Sequence, residues 1–314
     1  MTHPVFLRMQ KKEVEMKFRR YVFLTCLFFL PVILISCASP LKRKLTSDQK
    51  INYRGSIIPV NDPVQLMYKP VKAKFKILSV VLARVENREI SQEPSIYGYY
   101  HVTRFGDQLL WNIKVTKMEM GDQSFSSLIP LVDARLLTDH HGNTVKLELA
   151  LPYFDKSKMG KPAYYKLYHN VKRNITHQFS KSYPRKPVRS GDLIHCFSDR
   201  EIKEMLAQAF ITPKPDSGTR GIRDINYTID GWGNYEGKQV LIASVDDELY
   251  IEYPNHHRRF KFKVNGYIIL NKSTYHHVKV EIKVAIEEIT DSSSPYRIMS
   301  LETINDLSSS LVNE

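Results

Sequence analysis

From Val71 the chain alternates apolar and basic positions, Val71-Lys72-Ala73-Lys74-Phe75-Lys76-Ile77, and then turns continuously apolar through Leu78, Val80, Val81 and Leu82. A period of two sends successive side chains to opposite faces, so this stretch predicts a strand with one wet and one buried face. Strand-like patterning covers most of the chain from Ile57. Residues 97–104 and 109–115 flank Phe105-Gly106-Asp107, and residues 132–137 and 145–151 flank a polar run from Thr138 to Thr144; each reads as a hairpin. Beyond residue 221, strands are expected over 222–229, 239–245, 249–253, 260–264, 266–270 and 278–286. Asp246-Asp247, the run 254–257 and the run 271–277 connect them. Connections this short imply antiparallel neighbours.

Between these regions the period lengthens. Tyr164, Leu167, Tyr168, Val171, Ile175 and Phe179 recur at helical spacing behind Pro162, which costs nothing in a first turn. The opposite face carries Lys166, His169, Lys172, Arg173 and His177. A second helix is expected after Ser198-Asp199-Arg200-Glu201, a capping box. Ile202, Met205, Leu206, Ala209 and Phe210 form its apolar face, and Pro213 ends it. Residues 212–221, rich in Pro and Gly, read as an exposed linker. The fold class expected is α+β, predominantly antiparallel β-sheet of meander or sandwich-like form, with two helices between two similar halves. Val145-Lys146-Leu147-Glu148-Leu149 and Val278-Lys279-Val280-Glu281-Ile282 match in type and carry the similarity of the halves.

The N-terminus has a different character. Lys17, Arg19 and Arg20 precede an apolar run over residues 21–35, which is shorter than the ~20 apolar residues a membrane helix needs. Leu34, Ile35, Ser36 and Cys37 follow, with Ala38 and Ser39 behind them. This resembles the lipobox of bacterial lipoproteins, and the resemblance implies removal of the leader, acylation of Cys37 and export to the cell envelope. Glu13 and Glu15 sit oddly in an export leader, so translation is expected to start at Met16. The expected division is a signal peptide over 1–36, a lipidated end and tether over 37–50, and a first β-rich region over 51–155. A basic helical region with its linker follows over 156–221, then a second β-rich region over 222–289 and a peripheral tail over 290–314. Where two membranes are present, Ala38-Ser39 lacks an inner-membrane retention Asp and points to the outer membrane, facing the periplasm.

Charge narrows the partners. The chain carries 46 Lys and Arg against 33 acids, a net +13. The leader through Cys37 contributes six of the bases and two of the acids, which leaves the mature part at +9. Outside the cytoplasm such a balance suits the membrane surface, anionic lipid, acidic polymer or other envelope proteins, and not nucleic acid. The positive charge is concentrated: ten Lys or Arg and no acid lie between Lys156 and Arg189. Lys166, Lys172, Arg173, Lys181, Arg185 and Lys186 are the expected anionic-surface contacts.

Catalytic signatures are weak. His140-His141, His256-His257 and His276-His277 suggest a metal only if separate loops converge, because adjacent strand residues point apart. His195-Cys196 lacks a base held against the thiol, and a small buried Cys is expected. Gly231-Trp232-Gly233 with Gly237 is flanked by strands, whereas a dinucleotide fingerprint must open a helix; a turn is expected there. No catalytic residue, metal ligand or cofactor is assigned. The expected role is non-catalytic binding or assembly in the envelope. Gly266-Tyr267-Ile268-Ile269-Leu270-Asn271-Lys272-Ser273-Thr274 is similar to hairpins of envelope proteins with curved antiparallel sheets. Some of these, such as lipoprotein carriers, enclose an apolar ligand, so a carrier is the alternative and an envelope hydrolase comes third.

Overall fold

The computed structural model describes residues 53–85, 88–121, 123–179, 181–208, 218–289 and 298–311. The leader, the lipobox and most of the 212–221 linker, with Ala209, Phe210 and Pro213, lie outside the described residues, as does the side chain of His177. The first meander comprises β1 (Val71–Val85), β2 (Arg88–Gln92), β3 (Pro94–Phe105), β4 (Gln108–Met120), β5 (Gln123–Ser126), β6 (Val132–Thr138) and β7 (Thr144–Ala150). A crossover follows with helices α1 (Lys156–Met159) and α2 (Lys161–Phe179), strand β8 (Leu193–Phe197) and helix α3 (Asp199–Gln208). The second meander is β9 (Ile225–Tyr235), β10 (Lys238–Tyr253), β11 (Arg258–Asn271), β12 (His277–Glu288) and β13 (Ile298–Leu311).

The fold is α+β with a predominantly antiparallel sheet, and its strands join in one sheet ordered β7-β6-β4-β3-β1-β13-β12-β11-β10-β9-β8. The two meanders meet where β1 pairs antiparallel with β13 along nearly its whole length. The chain thus enters the sheet at its middle, works out to one edge, crosses by way of the helices to the other edge and works back. Eleven strands at about 4.8 Å spacing would make a flat sheet roughly 50 Å wide. Instead, one continuous core takes inward side chains from both ends, including Ala134 and Leu136 of β6, Trp111 and Ile113 of β4, Tyr227 of β9 and Ile194 of β8. The sheet therefore curls around a shared interior.

Helix α2 fills that interior. Leu167, Val171, Ile175 and Phe179 are buried, as the helical spacing requires, and Phe179 packs edge-on against Phe75 of β1 and Tyr100 of β3, with ring centroids 5.0 and 5.8 Å apart. Burying each such side chain is worth roughly 1.5–3 kcal/mol relative to leaving it exposed. The lead-in segment before β1 closes one end of the curl. Ile58 bridges Trp232, Val64 bridges Val188, and Val60, Leu66 and Tyr68 are buried. Tyr68 N donates to the carbonyl of His140 and Lys69 N to that of Thr274, so two residues touch loops of both meanders. Those loops have related geometry. Asp139 Oδ1 accepts from the backbone of His141 and Asn143, and Asn271 Oδ1 accepts from that of Ser273 and Thr274.

Four expectations are corrected. Residues from Ile57 to Lys69 make isolated bridges rather than a strand, because their partners belong to separate segments, Trp232 to β9 and Val188 to the crossover before β8. Asp246-Asp247 is not a connection: β10 runs unbroken, Asp246 opposite Asn265 and Asp247 opposite Val264, and the Asp247 carboxylate takes two 2.7 Å bonds from Arg223. Gly231-Trp232-Gly233 lies within β9 at a register shift opposite Ile242, and the turn itself is Glu236-Gly237, both in the left-handed region. Finally, the Ser- and Asp-rich end is not peripheral, since residues 298–311 form a strand at the centre of the sheet, hydrogen-bonded on both sides. Two ready-made neighbouring strands override low strand propensity there.

Candidate functional site

Above the core stripe of α2 runs a second stripe, His169, Lys172, Arg173 and Thr176, at the i, i+3, i+4, i+7 spacing that shares one helix face. It faces Arg200, Glu201 and Glu204 of α3, and with Lys181, Ser182, His195, Ser198, Gly142 and Thr144 it bounds a cleft of about 590 Å³. α2 contacts edge strand β7 and α3 directly follows edge strand β8 in the chain, so the cleft lies between helices tied to the two edges of the sheet. Gly142 marks how closely the β6–β7 loop approaches: its φ is +88°, and a Cβ there would lie 2.3 Å from the carbonyl oxygen of Lys181.

Each charged wall has a local reason. The capping box forms as the sequence predicts, with Ser198 N donating to Glu201 Oε2 at 2.6 Å and Glu201 N donating to Ser198 Oγ at 3.2 Å. The same carboxylate oxygen accepts from Ser198 Oγ at 2.8 Å and from His195 Nε2 at 3.0 Å. Glu204 accepts from Arg173 of α2 at 3.4 Å and from Arg200, one turn earlier on α3, at 3.1 Å, and so pins the two helices across the cleft. Burial pulls the Arg173 guanidinium below its usual value, opposed by Glu204. Lys181 Nζ donates to the carbonyl of Cys196 at 3.0 Å and lies over the ring of Phe197.

Of the residues expected at an anionic surface, the structure brings Lys172, Arg173 and Lys181 into this cleft. Lys166 is exposed on α2, and Arg185 and Lys186 are exposed in the crossover, outside the lining. Sequence reasoning missed Arg200 and Glu204 and took Glu201 only as a cap. An i,i+4 Arg–Glu pair opposite the Ile202, Leu206 face was the available signal.

Chemistry at His195-Cys196 is not favoured by the geometry. Cys196 is fully buried, burial pushes its thiol up to about 12, and His195 turns to Glu201. Ser198 Oγ donates to Glu201 Oε2 and accepts from Glu201 N, so its hydroxyl is engaged in the helix cap. Two of the three His-His pairs do meet at Tyr68, whose N–H donates to the carbonyl of His140 and whose ring lies 5.1 and 6.2 Å from those of His276 and His277. His276 Nε2 lies 2.7 Å from the carbonyl of Lys69, which can only accept, so that nitrogen carries the hydrogen. His277 Nε2 lies 3.4 Å from Tyr68 Oη, which in turn donates to the carbonyl of Lys181. Around them Tyr68, Tyr183, Trp111 and Tyr100 stack or tilt at centroid distances of 4.6 to 6.2 Å. Burial draws His276 down to about 4 and His277 to about 3. The third pair is remote, with His257 ending the short helical turn between β10 and β11. Among the described residues no group of three or more His, Cys, Asp or Glu side chains is placed to hold a metal.

No family model and no curated protein matches the chain. A solved structure aligned with it is that of DynF from the dynemicin biosynthesis pathway of Micromonospora chersina. The alignment has 7% identity, covers 85% of this chain and 91% of that one, and has a TM-score of 0.19, too low to carry any conclusion.

Proposed function

We propose that the protein is a cell-envelope lipoprotein, anchored through Cys37, that binds an anionic envelope component in the cleft between α2 and α3 without transforming it. The observation that carries this reading is the cleft itself: Lys172, Arg173, Lys181 and Arg200 line it from three segments, while Cys196 is buried and Ser198 and His195 are both engaged by the capping carboxylate of Glu201. In a cell with two membranes the anchor belongs on the outer one, facing the periplasm. Anchoring a basic cleft at a membrane raises its local concentration beside anionic lipid or polymer. A carrier of an apolar ligand is less well supported, because Leu167, Val171, Ile175 and Phe179 of α2 already occupy the inner face of the sheet; α2 would have to move away to admit cargo.

Two measurements test the proposal. Cys37→Ala should abolish labelling by a radioactive fatty acid and release the protein from the membrane fraction; persistent labelling would remove the anchor. Lys172→Glu with Arg200→Glu should abolish sedimentation with anionic vesicles or acidic polymer in low salt. Arg185→Glu with Lys186→Glu, outside the cleft, should weaken it less. Undiminished binding by the first pair would refute the cleft as the binding surface.

A further inference from the structure

We infer that the cleft is built for a phosphomonoester carried on a polar body of about sugar size. This rests on the reading of the cleft as an anion site and names its ligand. Four permanent cations line it, Lys172, Arg173, Lys181 and Arg200, against two carboxylates, Glu201 and Glu204. The formal sum of these six side chains is two positive charges. A phosphomonoester carries about −1.5 to −2 at neutral pH and matches that surplus. A carboxylate or a phosphodiester carries one charge and leaves the other unmet.

Geometry points the same way. The cations arrive from α2, from the crossover after it and from α3, so the cleft offers donors from three separate segments. A planar carboxylate is served by one guanidinium fork, whereas the oxygens of a phosphate take donors from several directions. Glu204 keeps the guanidinium groups of Arg173 and Arg200 within reach of one another before any ligand arrives. At about 590 Å³ the cleft holds more than a phosphate group. Sites of a few hundred Å³ accept small organic molecules, and the polar residues Thr144 and Ser182 are part of the lining.

Isothermal titration of the full detergent-solubilised chain with glucose 1-phosphate, gluconate and glucose tests this, alongside sedimentation with vesicles containing phosphatidic acid or phosphatidylglycerol. A phosphomonoester should bind at least about tenfold more tightly than its singly charged counterpart, and glucose should not bind. Lys172→Gln with Arg200→Gln, both at exposed positions, should weaken it by about tenfold with no change in unfolding temperature. Binding of glucose 1-phosphate indicates a soluble sugar phosphate; preference for phosphatidic acid vesicles alone indicates a lipid-borne group. Equal binding of gluconate and glucose 1-phosphate would overturn the phosphomonoester assignment and leave the anion cleft standing. No binding of any anion would overturn both, and selective binding that survives the double substitution would overturn its placement here.

Discussion

Tyr183 Oη donates to the carbonyl of Tyr275 at 2.7 Å, across 92 positions of sequence. Its backbone N–H meanwhile donates to the carbonyl of His141. One residue of the crossover is therefore fastened to the β6–β7 loop and to the β11–β12 loop, which belong to different meanders. With Tyr68 and Lys69, which bond to the same two loops, it ties the two meanders together.

Tyr183→Phe should preserve the stacking on Tyr68 and remove the bond to Tyr275, leaving a partly buried carbonyl short of a donor. The expected loss of stability is about 1–3 kcal/mol. Urea unfolding measures it; a midpoint within error of the parent would show that the tie contributes nothing.

Helix α2 should depend on its last apolar residue. Phe179→Ala empties the space against Phe75 and Tyr100 and should cost about 3–5 kcal/mol. Tyr165→Ala, on the exposed side of the same helix, should stay within about 0.5 kcal/mol. Similar thermal shifts for the two would contradict the packing of α2 into the sheet.

Stability should fall in acid through His276 and His277. Their folded values, about 4 and about 3, lie below the ordinary histidine value because burial disfavours the charged form. In that interval the unfolded chain binds more protons. Their stabilising contribution is therefore complete above about pH 6.5 and is lost as pH falls toward the folded values, at up to about 1.4 kcal/mol per unit for each histidine. Denaturant titrations between pH 7 and pH 4 should show a shallower slope for His277→Gln than for the parent. Parallel slopes would exclude His277 as a source of the acid sensitivity.

Cys196 should be inert in the folded protein. Its thiol is fully buried and raised to about 12, so almost no thiolate is available. Mass spectrometry after iodoacetamide treatment at pH 8 should find its peptide unmodified until denaturant is added. Rapid modification of the native protein would mean that the strand-β8 region opens.

Much of this architecture was legible locally. Alternation fixed β1, the Gly106 hairpin and the β6–β7 hairpin, and helical spacing fixed α2 with Phe179 facing inward. Ser198 and Glu201 announced the start of α3. Each of these signals depends on residues within one or two turns, where side-chain direction follows from backbone period. The basic run from Lys156 to Arg189 showed that positive charge would gather near α2, but only three of its members line the cleft.

The rest required the tertiary structure. That residues 298–311 form the central strand follows from β1 and β12 offering unpaired edges on both sides, which no local propensity records. That Asp246-Asp247 continues a strand follows from Arg223, 23 and 24 residues earlier, neutralising Asp247. Arg173 and Glu204, 31 positions apart, meet because α2 and α3 come together, a contact that no local pattern records. The sequence by itself determined the locally patterned elements, their inward faces and the sign of the charge; long-range pairing decided the central strand and the curl, and the packing of α2 and α3 gathered that charge into a cleft.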